Sequence, residues 1–236
     1  MEDQMMTQQV LTAEQAEEVQ RAFMLRVFGW MTAGLMITGI AAIETVNTPA
    51  ILEFIFTNKI VYIGLIIAQL GLVVWLSARI ERMSAMTATM VFIGYAALTG
   101  MTLSSVFLNY TLSSIGSTFF VTAGTFGVMA TYGALTRRDL TSLGSFMMMG
   151  LIGLLMASLV NMFLQNETVY WISTYAGVLI FVGLTMYDAQ KIKAMSVLSL
   201  QGAEIEQKGA IMGALRLYLD FINLFLLLLR ILGRRK

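Results

Sequence analysis

The chain predicts an all-α integral membrane protein, a bundle of seven transmembrane helices, on three observations. Its 236 residues are 58% hydrophobic and only 12% charged, whereas a water-soluble domain carries about 25% charged residues. That leaves too little charge to cover a surface facing water, and the mean hydropathy of +0.77 agrees. The apolar residues fall into seven stretches, each close to the ~20 residues a helix needs to cross the hydrocarbon core. The charges are confined almost entirely to the connections between these stretches.

Residues 1–22 form a polar N-terminal segment carrying Glu2, Asp3, Glu14, Glu17 and Glu18. It lacks the apolar region and small-residue site of a cleavable signal peptide, so targeting is expected to fall to the first stretch, 23–43. Pro49, the one proline, lies in the connection that follows. The second stretch, 60–78, ends at Arg79 and Arg82, which can anchor the helix by snorkelling or reach into the bundle. The third, fourth and fifth stretches are 86–108, 115–136 and 143–164. Small-residue pairs such as Gly34 and Gly39, Gly124 and Gly127, and Gly150 and Gly153 are expected to let helices approach closely. The 19 methionines read as adaptable fillers between helices. A metal path is disfavoured because Met147, Met148 and Met149 are consecutive and point around the helix, not along one face. The sixth stretch, 169–188, ends on Asp188, and the seventh, 211–232, contains Asp220. Residues 23–232 are thus the membrane domain, and 233–236 a basic tail.

Orientation follows from the excess of Lys and Arg in cytoplasmic connections. With seven spans, nine basic residues (Arg21, Arg26, Arg79, Arg82, Arg137, Arg138, Lys191, Lys193, Lys208) share the face of the N-terminus, and five (Lys59, Arg230, Arg234, Arg235, Lys236) the other. The N-terminus is therefore expected in the cytoplasm. The terminal basic cluster pulls the other way, and a re-entrant last segment would return it to the cytoplasmic side.

Several function classes are excluded. Cysteine and histidine are absent, which removes thiolate and imidazole catalysis, cysteine metal sites and the usual proton carrier near neutral pH. The net charge of +1 argues against a nucleic-acid partner; the lipid bilayer is the expected one. An intramembrane aspartyl protease would need Gly-x-Gly-Asp at its second aspartate and a later Pro-Ala-Leu. Here Leu217-Tyr218-Leu219-Asp220 stands in the first place and no proline follows Pro49. No enzymatic activity and no resident cofactor are expected.

What remains is Asp188 and Asp220. A carboxylate at membrane depth costs ~2.5 kcal/mol or more and usually marks an ion path or proton relay. The sixth span descends to the face from which the seventh rises, so the two carboxylates come to comparable heights if the helices are neighbours. A contacting pair would titrate in coupled steps: sharing a proton closes it, and losing that proton leaves a repulsive site that attracts cations. Helix-local neutralisation is the alternative, by Arg216 four residues before Asp220, or by Lys191 or Lys193 beside Asp188. Tyr187, Tyr218, Thr185 and Asn223 add polarity to the region.

The run Met186-Tyr187-Asp188-Ala189-Gln190-Lys191-Ile192 and the run from Ala214 to Phe225 (Ala-Leu-Arg-Leu-Tyr-Leu-Asp-Phe-Ile-Asn-Leu-Phe) resemble the signature segments of the Bax inhibitor-1, or transmembrane Bax inhibitor motif, family. Arg26 to Met31, Leu98 to Leu103, Tyr132-Gly133, Thr136 and Asp139-Leu140 add matches in order, and the tail is most similar to bacterial members. The resemblance implies a bundle whose last helix is central. It also implies a pH-sensitive calcium leak across a bacterial inner membrane, gated by Asp188 and Asp220. The switching arginine would be Arg79, or Arg82 in the alternative register. Two departures stand out: a long connection, 189–210, and Arg216 where a neutral residue is expected. In this reading calcium is the transported ion, held transiently by the two aspartates with help from Asn223. The other reading is a modulator that binds a membrane protease or acts in a stress response, with Glu14, Glu17 and Glu18 as its handle.

Overall fold

The computed structural model describes residues 12–236, which fold into eight α-helices: α1 (Ala13–Asn47), α2 (Pro49–Thr57), α3 (Lys59–Arg79), α4 (Ala85–Asn109), α5 (Leu112–Leu135), α6 (Thr141–Leu164), α7 (Glu167–Ala194) and α8 (Ala203–Leu232). All but α2 are long and apolar enough to cross a membrane, so the seven expected spans are α1 and α3 to α8. The expected break at residue 22 is not there. Helix α1 begins ten residues earlier, where Thr12 and Gln15 form a reciprocal capping box that satisfies two otherwise unpaired amides. Residues 1–11 of the polar segment lie outside the described residues.

Two connections differ from expectation. Helix α2 occupies the connection after the first span; its nine residues are too short to cross, and Pro49 starts it at a position where the missing amide proton costs nothing. The connection expected over 189–210 is almost entirely helical. Helix α7 runs on to Ala194, a 3-10 segment covers Met195–Gln201, and Gly202, at φ 111°, makes the reversal into α8. That left-handed backbone is open to glycine and strained for other residues.

Helix α8 is the axis of the bundle. It packs against α1, α4, α5 and α7, and two-thirds of its apolar segment is buried, against 6% for α3 and α6. Ile211, Leu215, Leu217, Tyr218, Leu224 and Leu229 are all but fully enclosed. Such burial is what a helix surrounded by others requires, because lipid tails offer no hydrophobic drive and only close packing rewards association. Helices α3 and α6 stand at the periphery, α3 on α2 and α4, α6 on α7.

Helix α8 crosses the bundle completely, so the re-entrant alternative is corrected. Its start lies beside the starts of α1 and α4, through the Arg26–Glu206 ion pair at 3.0 Å and Gln207 donating to Thr89 at 3.2 Å. Its end lies at the α4–α5 hairpin. There Arg235 bridges Tyr110, the Lys236 amide donates to the Asn109 carbonyl at 3.0 Å, and the Thr111 amide donates to the Arg234 carbonyl at 3.1 Å. The start of α8 and the C-terminal residues therefore lie at opposite ends of the bundle.

Where backbones touch, glycine is the cause. A Cβ on Gly100 would collide with the Thr38 carbonyl of α1, and one on Gly133 with the Met186 carbonyl of α7. Of the glycines expected to serve this purpose, Gly34 packs under Phe92 and Gly150 against Ile180. Gly39, Gly124, Gly127 and Gly153 face open space, which for peripheral surfaces of the bundle means lipid.

Candidate functional site

Helices α7 and α8 are neighbours, and their contact brings Asp188 and Asp220 into one polar cluster with Arg216. Asp220 is 5% exposed, and its Oδ2 has no hydrogen-bond partner among the described residues. The Asp188 side chain is 14% exposed, and its Oδ1 lies 3.9 Å from Nη1 of Arg216. Asp188, Asp220 and Arg216 all line one cleft. Arg216 thus reaches across from α8 to α7. The sequence offered it as a helix-local partner of Asp220; its ion pair is with Asp188.

The expected switching arginines are elsewhere. Arg79 ends α3, and Arg82 lies in the short 3-10 turn after it; both are exposed, and neither pairs with a carboxylate among the described residues. Arg216 is the arginine that the fold places at the carboxylates. Its signal in the sequence was position alone: one helical turn from Asp220 it shares a face with that residue, and that face turns out to meet α7.

The cluster lies in a cleft of about 1040 Å³ between α3 and α6, floored by α7 and α8. Tyr187 and Asn223 both line it. The Tyr187 ring covers Gly144 of α6, in a space that a Cβ there would take, and its hydroxyl accepts from Lys191 at 3.3 Å. Asn223 donates to the Leu219 carbonyl at 2.8 Å, which leaves its amide oxygen free to face the cleft.

Tyr218, grouped with the aspartates by sequence, faces away from them. Two residues along a helix is a turn of about 200°, so it points to α1 and α4, where its hydroxyl lies 2.7 Å from that of Thr38. Thr38 in turn lies 2.9 Å from the carbonyls of Gly34 and Ala96. Phe92 and Tyr95 meet the Tyr218 ring edge-on, at 6.0 and 5.7 Å between centroids. Thr185 is likewise spent locally, donating to the Phe181 carbonyl at 2.7 Å.

Gln190 was quoted only as part of a motif, and the structure gives it a task. Its Oε1 accepts from the Leu140 amide at 2.9 Å, and its Nε2 donates to the Arg138 carbonyl at 2.8 Å. This clamps the α5–α6 connection onto α7, two residues from Asp188. Next to the clamp, Asp139 accepts from the hydroxyl and amide of Thr141, which holds its carboxylate below the ordinary range.

Chemically, the arrangement offers two carboxyl groups that can take up or release protons, one arginine to offset their charge, and oxygen ligands for a cation. Among the described residues no third acidic side chain joins the pair, so contact with a divalent ion would be transient. Comparison with known proteins places the sequence in a family. Residues 20–236 match the protein family described as "Inhibitor of apoptosis-promoting Bax1". The chain is 52% identical over 217 residues to the Inner membrane protein YbhL of Escherichia coli strain K12, covering 92% of this chain and 93% of that one. It is also 45% identical to an uncharacterized protein of Borreliella burgdorferi (96% and 98% covered) and 44% identical to one of Rickettsia prowazekii (93% and 92%).

Proposed function

The chain belongs to the Bax inhibitor-1 family of integral membrane proteins, and on that premise we propose that it is a passive, pH-sensitive calcium leak gated at Asp188 and Asp220. The observation that carries this reading is the unpartnered, 95%-buried carboxylate of Asp220 beside a second carboxylate served by one arginine. An uncompensated carboxylate at this depth lowers stability, so its presence asks for a role in moving protons or cations. At low pH the pair shares a proton and holds α7 against α8. As pH rises both carboxylates ionise and repel, α7 and α8 part, and the vacated contact draws a cation. Arg216, in place of Arg79, is the tether that steadies Asp188 through this change.

The membrane is inferred to be the bacterial inner membrane, from the printed name of the Escherichia coli relative. The nine basic residues on the face of the N-terminus, against five on the other, support a cytoplasmic N-terminus. The test is calcium flux into liposomes holding the purified protein, over a pH series, beside Asp188→Ala/Asp220→Ala. The leak requires flux that rises with pH and is lost in the double variant. A folded protein with no flux at any pH, or a double variant that conducts unchanged, overturns it.

A further inference from the structure

The cleft above the carboxylates opens sideways. Its walls, Leu70 and Val74 on α3 and Met148 and Ile152 on α6, are 46–66% exposed, and α3 and α6 share no substantial seam. In a bilayer these walls face hydrocarbon, so the cluster is reached from among the lipid tails.

The deep end of this apolar slot is polar and unbalanced. The two cations that line it already have partners, Arg216 with Asp188 and Lys191 with Tyr187. Asp220, from α8, is left with an oxygen that no donor reaches among the described residues. Tail contacts alone cannot select an occupant, since lipid tails are as apolar as the walls. Selection must come from the head group. A phosphate or sulfate head would meet two carboxylates and would have to take Arg216 from Asp188 or Lys191 from Tyr187, and a hydroxyl head would leave an ionised Asp220 without an opposite charge. A primary ammonium brings both the opposite charge and N–H donors, which makes the strong, charge-assisted kind of hydrogen bond.

We propose that this cleft binds membrane-dissolved amphiphiles with a primary ammonium head, the tail lying between α3 and α6 and the head on Asp220. The site shares Asp220 with the proposed leak but does not depend on ion passage, because binding is read directly.

The experiment uses the full chain in phosphatidylcholine nanodiscs and a dodecylammonium probe with a photoreactive diazirine in its tail, with the labelled residues mapped by mass spectrometry. Labelling should concentrate on α3 and α6 around the cleft. Unlabelled dodecylamine should compete about tenfold or more better than dodecanol or dodecyl sulfate, the range expected of a hydrogen bond to a charged group. Asp220→Asn, nearly the same shape without the charge, should lower labelling by about the same factor. Leu155→Trp, a lipid-exposed position at the mouth whose substitution leaves the core untouched, should lower labelling through obstruction alone. Equal competition by dodecanol, labelling spread evenly over the lipid-facing helices, or undiminished labelling of folded Asp220→Asn would each overturn the proposal.

Discussion

Replacing Asp220 with leucine should make the protein more stable, although Asp220 sits at the centre of the bundle. Its Oδ2 is buried without a partner, and an unsatisfied buried polar group costs about 1–3 kcal/mol. The carboxyl group of Asp188, which lines the same cleft, adds to that cost whenever both are ionised. Leucine removes both and leaves Arg216 to Asp188 alone. The extra volume has somewhere to go, because the position lines the cleft, so the overpacking charge of about 1–3 kcal/mol seen in filled cores should fall at or below its lower end. The net expectation is a gain of about 1–2 kcal/mol, within the range found when buried charges give way to apolar groups. Arg216→Leu should do the reverse. It strands two carboxylates, and with the arginine side chain 36% exposed and 3.9 Å from its partner, a loss of about 1–2 kcal/mol at neutral pH is reasonable, below the 3–5 for a fully buried pair. That loss should grow as pH rises, because ionisation of both carboxylates is what the arginine offsets, and shrink in acid. The assay is reversible unfolding in mixed micelles at two pH values. A loss of more than about 1 kcal/mol in Asp220→Leu, outside the positive range argued here, refutes the claim that the carboxylate is held against its own stability.

Two further substitutions test the packing around the site. Gly133→Ala puts a methyl group into the Met186 backbone and should separate α5 from α7, lowering stability by about 3 kcal/mol, the upper end of overpacking; Gly124→Ala, facing open space, should change it little, and equal melting temperatures for the two variants would contradict the assigned contact. Tyr218→Phe removes the hydroxyl bonded to Thr38 yet leaves Thr38 its carbonyl partners, so unfolding should become easier by only about 0.6–1.7 kcal/mol, with the pH dependence of flux unchanged because Tyr218 faces away from the aspartates.

The seven spans were legible because hydrocarbon imposes one rule on all of them, about 20 apolar residues per crossing. That rule stops at the membrane surface while helical hydrogen bonding does not. This is why α7 and α8 extend past the apolar stretches into the connection between them, and α1 into the polar N-terminal segment. Helix α2 was missed because a crossing criterion does not register a nine-residue helix, although Pro49 and Thr48 before it mark a start. Within the site, the two aspartates were visible as charges in the wrong solvent. Their partners were not, since partner choice depends on azimuth. Arg216, Tyr218 and Asp220 are two residues apart in turn, yet the first and last face α7 and the cleft while the middle one faces α1 and α4.

That division of faces explains how one helix can be both the axis of the bundle and the seat of a poorly compensated charge. On the side of α1 and α4, Tyr218 closes a polar network with Thr38 under Phe92 and Tyr95, Gly34 makes room for the Phe92 ring, and Gly100 lets the α1 and α4 backbones touch. That half is tightly packed. On the side of α3 and α6 the packing is released: neither helix packs on α8 with a substantial seam, and the space between them is the cleft. A charge placed in the packed half would have to be paired or expelled, since interiors at that density do not yield. Placed at the open half, it can stay unpaired until a proton or a cation arrives, on the side of α8 where the neighbouring helices leave a cleft. Tightening the open half should therefore silence the site without touching a carboxylate, whereas loosening the packed half should unfold it.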